Sequence, residues 1–223
     1  MHYATAEQKA HLKHGLRHDP FKALVAPRPI GWISSLGPSG VVNLAPYSFF
    51  NAVGDQPPMV MFSSTGRKDT LRNIEASGEF TCSLATHALA SAMNLSSATV
   101  DADVSEYALT GLAMAPALVV APPRVAASPA ALECRLWKTL DLPSPPDRPQ
   151  VVVFGEVVAI HIDEAFVADG RVDTAAMRPI ARMGYMDYAV VTPETRFTLN
   201  RPEVAPDRRS ARVTPAPWDG AYR

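Results

Sequence analysis

No apolar run in this chain approaches the roughly 20 residues that a membrane-spanning helix needs. Charge of one sign is also missing. The formal net charge is −1, which leaves no electrostatic case for nucleic acid or an anionic membrane as partner. Cysteine is scarce. Cys82 and Cys134 are far apart, each within an apparent strand, and no CxxC or zinc-type spacing exists. Buried, reduced, structural thiols are the expectation. There is no Walker A loop and no Gly-x-Gly-x-x-Gly, so nothing indicates a Rossmann domain. Met1 to Lys13 is polar and has no signal-peptide core, so a cytoplasmic location is expected.

What is present suits one folded domain. The 223 residues, 47% of them hydrophobic, are enough for a substantial core. The 21 prolines argue for many fixed turns and edge segments rather than long helices. His11, His14 and His18 have helical spacing, but no thiol or carboxylate joins them locally. Residues 1–18 therefore read as a solvated arm, with no metal site expected.

Asp19 to Ala26 reads as a short helical turn that Pro27 and Pro29 stop. Strands are expected at Ile30–Leu36, at Val41–Val53 around the edge-marking Pro46, and at Met59–Phe62. Glu79–Leu84 alternates, with Phe80, Cys82 and Leu84 facing inward. Leu132 to Leu142 keeps the period of two except at Lys138, and Val151–Ile162 is the most apolar strand. Leu71 and Ile74 stripe a helix over Asp69–Ala76 that Gly78 ends, and a second helix spans Ala88–Leu95. Residues 96–128 read as irregular, and 200–223 as a Pro/Arg-rich tail, an arm or disorder. The pattern predicts a mainly β domain over residues 19–199, an antiparallel β-barrel with short peripheral helices.

Residues 41–70 concentrate the chemistry. Two apolar runs flank Gly54-Asp55-Gln56-Pro57-Pro58, which predicts a hairpin. The second run ends in Ser63, Ser64, Arg67, Lys68 and Thr70 at a strand-to-helix junction. Hydroxyls, two cations and the unpaired N–H groups of a helix N-terminus are what a phosphate monoester needs. Asp69 is the awkward member. Its carboxylate is expected to cap the helix or pair with an arginine, leaving its backbone N–H to help. Asn43, Tyr47, Ser48 and Asn51 are polar groups in an otherwise apolar run. That combination suits a flat, mostly apolar flavin ring with one hydrogen-bonding edge. Trp32, on the strand before, either stacks near such a ring or belongs to the core.

Several segments together resemble the flavin reductase-like family, the FMN-binding split-barrel group that includes flavoredoxin-type proteins. They are His14-Gly15-Leu16, Asp19-Pro20-Phe21-Lys22-Ala23-Leu24-Val25, Pro27-Arg28-Pro29-Ile30-Gly31-Trp32-Ile33-Ser34, Asn43-Leu44-Ala45-Pro46-Tyr47-Ser48-Phe49-Phe50-Asn51, Pro57-Pro58-Met59 and Arg67-Lys68-Asp69-Thr70-Leu71-Arg72-Asn73-Ile74. The resemblance covers about residues 14–190 and implies a split β-barrel, a homodimer and FMN near the subunit interface. It implies that Asn43, Ala45, Pro46, Tyr47, Ser48 and Asn51 line the flavin, and that Ser63, Ser64, Arg67, Lys68 and Thr70 hold its phosphate. Arg182-Met183-Gly184-Tyr185-Met186-Asp187-Tyr188 resembles a further family motif near the domain's end.

The resulting expectation is an NAD(P)H-dependent flavin oxidoreductase that passes hydride to FMN and electrons to an acceptor, such as a flavin-dependent oxygenase. The other reading is an FMN-binding electron carrier or redox sensor without its own NAD(P)H turnover. His161 is the candidate catalytic residue, placing the nicotinamide or balancing charge on the flavin; a structural histidine is the alternative. Glu156, set in the same apolar strand, reads as a paired structural carboxylate.

Overall fold

The structure, a computed structural model, describes residues 1–213, 217, 218 and 220. Residues 214–216, 219 and 221–223, part of the expected tail, lie outside the described residues.

A turn of helix, Phe21–Leu24 (α1), leads into Arg28–Pro29 (β1), and then Gly31–Leu36 (β2), Val42–Tyr47 (β3), Phe50–Asp55 (β4) and Pro58–Thr65 (β5) follow closely. Asp69–Ser77 (α2), Glu79–Leu84 (β6), Ala90–Leu95 (α3) and Glu106–Thr110 (α4) come next. Met114–Ala115 (β7) pairs with Arg124–Val125 (β8) before the two long strands, Ala130–Leu142 (β9) and Gln150–Ile162 (β10). Val167–Ala168 (β11) and Arg171–Val172 (β12) form a small ladder, as do Glu203–Val204 (β15) and Ala211–Arg212 (β16) in the tail. Ile180–Arg182 (β13) sits between β1 and Tyr188–Val190 (β14).

Seven strands make one antiparallel sheet in the order β3-β2-β6-β9-β10-β5-β4. Its two edges, β3 and β4, are consecutive in the chain. The run Val41–Val53 is therefore two strands rather than the one expected. It breaks at Ser48-Phe49, where the chain leaves one edge of the sheet and starts the other. The sheet curls so that these edges meet. The Tyr47 ring on β3 lies 4.6 Å from the Phe62 ring on β5, while Ser63 N–H, donating to Phe49 O at 2.8 Å, carries the β4–β5 ladder one residue past Phe50. Pro46 stands on an edge strand, where its missing N–H costs no ladder bond, and β4–β5 is the expected hairpin, pairing Asp55 with Pro58.

Two apolar clusters result. Inside the barrel, Ile33, Phe62, Phe80, Cys82, Cys134 and Val153 pack with Leu71 and Ile74 of α2, the stripe legible in that helix. Outside, Trp32, Leu44, Met93, Tyr107, Val125 and Ile180 form a second cluster. Because both faces of β2 are covered, burial does not alternate along it and Gly31 to Ser35 are all buried, Ser34 and Ser35 included. Both cysteines are free and buried. Burial pushes the Cys82 thiol up to about 12 and raises that of Cys134 too, so neither is a nucleophile. On β9 the interruption at Lys138 has a cause: Phe154 pairs with Lys138 and Gly155 with Leu136, so Trp137 is bulged out. Beyond that bulge Leu140 and Leu142 are exposed, not inward as the alternation implied.

Candidate functional site

The loop after β5 opens onto a groove of ≈ 480 Å³, within the roughly 300–1,000 Å³ usual for small-molecule sites. One end is built by Thr65, Gly66, Arg67, Lys68, Asp69 and Thr70, where α2 begins. Gly66 has φ 80°, a left-handed conformation that turns the strand into the helix. The first i→i−4 bond of the helix runs from Arg72 N–H to Lys68 O, so the N–H groups of residues 69–71 have no partner within it. The Lys68 ammonium has no hydrogen-bond or ion-pair partner among the described residues.

The groove's wall is Asn43, Ala45, Pro46 and Tyr47 from β3. Thr70 Oγ1 donates to Asn43 Oδ1 at 2.6 Å, and Asn43 Nδ2 donates to both carboxylate oxygens of Glu106 at 2.9 Å. Glu106 also accepts from Leu44 N–H at 2.8 Å and is buried. The Asn43 amide is thus held from both ends, and it ties α2 to α4 across β3. Burial is the main influence on the Tyr47 phenol and pushes its pKa up, with the Thr70 and Ser64 hydroxyls pulling part of the way back. It therefore remains a neutral donor.

A second, smaller groove of ≈ 260 Å³ continues the first, sharing Pro46 and Ser97 with it. Ser48, Met93, Arg182, Met186 and Tyr188 also line it, with Ile30 and Asn94. Gly184 lets this loop seat against α1: a Cβ there would lie 2.5 Å from the Ala23 Cβ and 2.8 Å from its Cα. The loop also receives the N-terminal arm, with His18 5.7 Å from the Tyr185 ring.

Of the expected site residues, Asn43, Ala45, Pro46, Tyr47, Arg67, Lys68, Asp69 and Thr70 line the larger groove and Ser48 the smaller. Others fall elsewhere. Trp32 is fully buried and donates from Nε1 to Ser96 Oγ at 2.9 Å, so it is core and has no surface to offer a ring. Ser63 and Ser64 line neither groove. The period of two sends Ser64 to the inner side with Val60 and Phe62, where its hydroxyl donates to Gly66 O at 2.9 Å, and turns Ser63 to the other face. Asn51 is exposed on the edge strand β4 and accepts from Ala52 N–H. Asp69 is the first residue of α2 and caps nothing; its carboxylate pairs with Arg72. Arg67 Nη1 donates to both carboxylate oxygens of Glu75, and its Nη2 lies 3.7 Å from Asp141.

His161 lines neither groove. Its ring Nε2 pairs with Glu133, whose fully buried carboxylate also accepts from the N–H groups of Leu118, Val119 and Val120 at 2.5, 2.6 and 3.0 Å. It belongs to a network that fastens the loop before β9 and stands away from both grooves. Glu156 is exposed and has no ion pair among the described residues, so it is not a paired structural carboxylate.

Sequence reasoning missed Glu106 and the run Ser96 to Val100, all of which line the larger groove. Glu106→Gln turns an amide NH2 toward the Asn43 amide or Leu44 N–H. About 1–3 kcal/mol of stability should be lost in urea unfolding, together with the fixed orientation of Asn43.

The fold and sequence have clear relatives. Nitrilotriacetate monooxygenase component B from Bacillus cereus superposes with a TM-score of 0.80 at 28% identity, over 89% of this chain and 98% of that one. Pseudomonas fluorescens 2-nitrobenzoate 2-nitroreductase does so with a TM-score of 0.77 at 30% identity, over 90% and 96%. An uncharacterized protein of Deinococcus radiodurans is 40% identical over 203 residues, 85% of this chain and 86% of its own length. The sequence model described as "Flavin reductase like domain" matches residues 24–176, and with the sheet closed at Tyr47–Phe62 and the groove beside it, the chain belongs to the flavin reductase-like family of split barrels.

Proposed function

We propose that the groove binds FMN and that the protein is an NAD(P)H-dependent flavin oxidoreductase. The observation that carries this reading is an unpaired Lys68 at the N-terminus of α2, opening onto the Ala45-Pro46-Tyr47 wall. The donor set fits a phosphate monoester: one ammonium and three helix N–H groups at the groove's cationic end. Lys68 and those amides hold the phosphate. Ala45, Pro46 and Tyr47 exclude water from one face of the ring. Asn43, locked by Glu106 and Thr70, keeps this wall and the phosphate end in register. FMN, when bound, accepts hydride from the nicotinamide and passes electrons to an acceptor.

A homodimer belongs to the same reading. Asn51 is exposed on an edge strand, away from the groove of its own chain, and so serves the site of a second copy. The relationship to a component B of a monooxygenase supports an oxygenase as the electron acceptor.

The visible spectrum of the purified protein, followed by NADH and NADPH without oxygen, tests this. The expected result is a bound-flavin spectrum bleached by at least one reductant. Tight FMN binding with no bleaching by either would leave an electron carrier, and no spectral change on FMN titration would overturn the flavin site itself.

A further inference from the structure

We propose that Arg182 anchors a carboxylate or phosphate group of the molecule that exchanges electrons with the flavin, an inference that rests on the flavin reading above. The smaller groove lies beyond the wall strand from Lys68, joined to the larger one at Pro46 and Ser97. A redox partner facing the ring would occupy that end. Arg182 is its only lining cation among the described residues.

Its guanidinium is engaged by neutral acceptors alone. It donates to the Tyr188 hydroxyl and to Tyr185 O, each at 2.5 Å, and to Met186 Sδ at 3.2 Å. The Tyr188 ring lies 4.6 Å from it. Those contacts fix the plane of the fork, which reduces what an incoming anion must order. Asp187, next in the loop, forms no ion pair with it among the described residues.

The neighbouring charge makes the deficit larger. Arg28 stands directly across the β1–β13 pair and is 6% exposed. It too donates only to carbonyls, those of Lys22, Val25 and Met183. Like charges opposed across a strand pair repel, and a buried cation without an anion is costly. The two arginines are opposed in register, and no carboxylate pairs with either among the described residues. The open groove beside Arg182 is where a negative charge has room to sit.

Two sources share this chemistry: the diphosphate of a dinucleotide reductant and the carboxylate of an organic acceptor. Calorimetric binding of ADP against adenosine, and of benzoate against benzamide, separates them without turnover. The measurement is made on protein with and without added FMN. Wild-type protein should prefer the charged member of one pair by about tenfold or more, the worth of one charge-assisted fork. A preference for ADP assigns the site to the reductant, and one for benzoate to the acceptor. Arg182→Gln should erase the preference and leave FMN affinity unchanged. Tyr188→Phe, which removes a loop contact but keeps the charge, should retain it. Equal affinity within both pairs for the wild type, or a preference that survives in Arg182→Gln, overturns the proposal. Failure of FMN to bind the wild type would sink the flavin reading, while the ADP and benzoate results would still decide on Arg182.

Discussion

FMN should bind about a hundredfold more weakly when Arg67 and Lys68 are both changed to Ala, while riboflavin binds as before. A hydrogen bond to a charged group contributes roughly 1.5–3 kcal/mol, and about 1.4 kcal/mol is a factor of ten in Kd. Two such cations would reach beyond a hundredfold at full strength. The discount comes from exposure and from Glu75, which already pairs with Arg67 Nη1 and must be displaced. Lys68 has no such competitor. The loss should therefore be divided unequally, with most of it in Lys68→Ala alone and little in Arg67→Ala. Titration of flavin fluorescence against each variant reads this directly. Equal weakening for FMN and riboflavin would mean that the phosphate does not lie at the start of α2.

Glu133→Gln should cost about 3 kcal/mol of stability at neutral pH without changing FMN affinity. Burial pushes the Glu133 carboxyl up, but the Leu118 amide, the His161 ring and the Val119 and Val120 amides together bring it down to about 2, against an ordinary 4.5. A depressed acid stabilises the fold above its unfolded pKa. That contribution is lost as pH falls from about 4.5 through about 2. The gap corresponds to about 3 kcal/mol at roughly 1.4 kcal/mol per pH unit. The glutamine presents an NH2 to groups that themselves donate, so the network is left unsatisfied at every pH. Urea midpoints at pH 7 and pH 3 check both points: the wild type should lose stability between them and the variant should start lower and fall less. A variant of unchanged stability that loses flavin would instead return His161 and Glu133 to the active site.

The sequence made some of this legible because local forces decide it. Helix α2 follows from its Leu71 and Ile74 stripe and the stop at Gly78, and Arg67 and Lys68 stand at its start as the spacing implied. Long-range closure was not readable. Val41 to Val53 reads as one strand, and only the curling of the sheet divides it at Ser48-Phe49. The surroundings of His161 were hidden for a similar reason. Its partner, Glu133, lies 28 residues upstream, and β9–β10 carries two register shifts that no pattern on either strand announces. Glu106 was invisible for another reason. It begins a five-residue helix, α4, within a stretch of alanine and proline that has no periodicity, and its importance comes from Asn43, sixty-three positions earlier.

The seam where the Tyr47 ring of β3 meets the Phe62 ring of β5 has a consequence for how the molecule holds itself together. The wall strand β3 and the cationic loop after β5 stand on opposite sides of that seam. A ligand touching both Pro46 and Lys68 is a clasp across the barrel's one split, and it joins two edges that the chain itself fastens only lightly. Occupancy and resistance to unfolding are then the same equilibrium seen from two sides, so the melting temperature should climb with flavin concentration, and conditions that spring the barrel open should release its cargo first.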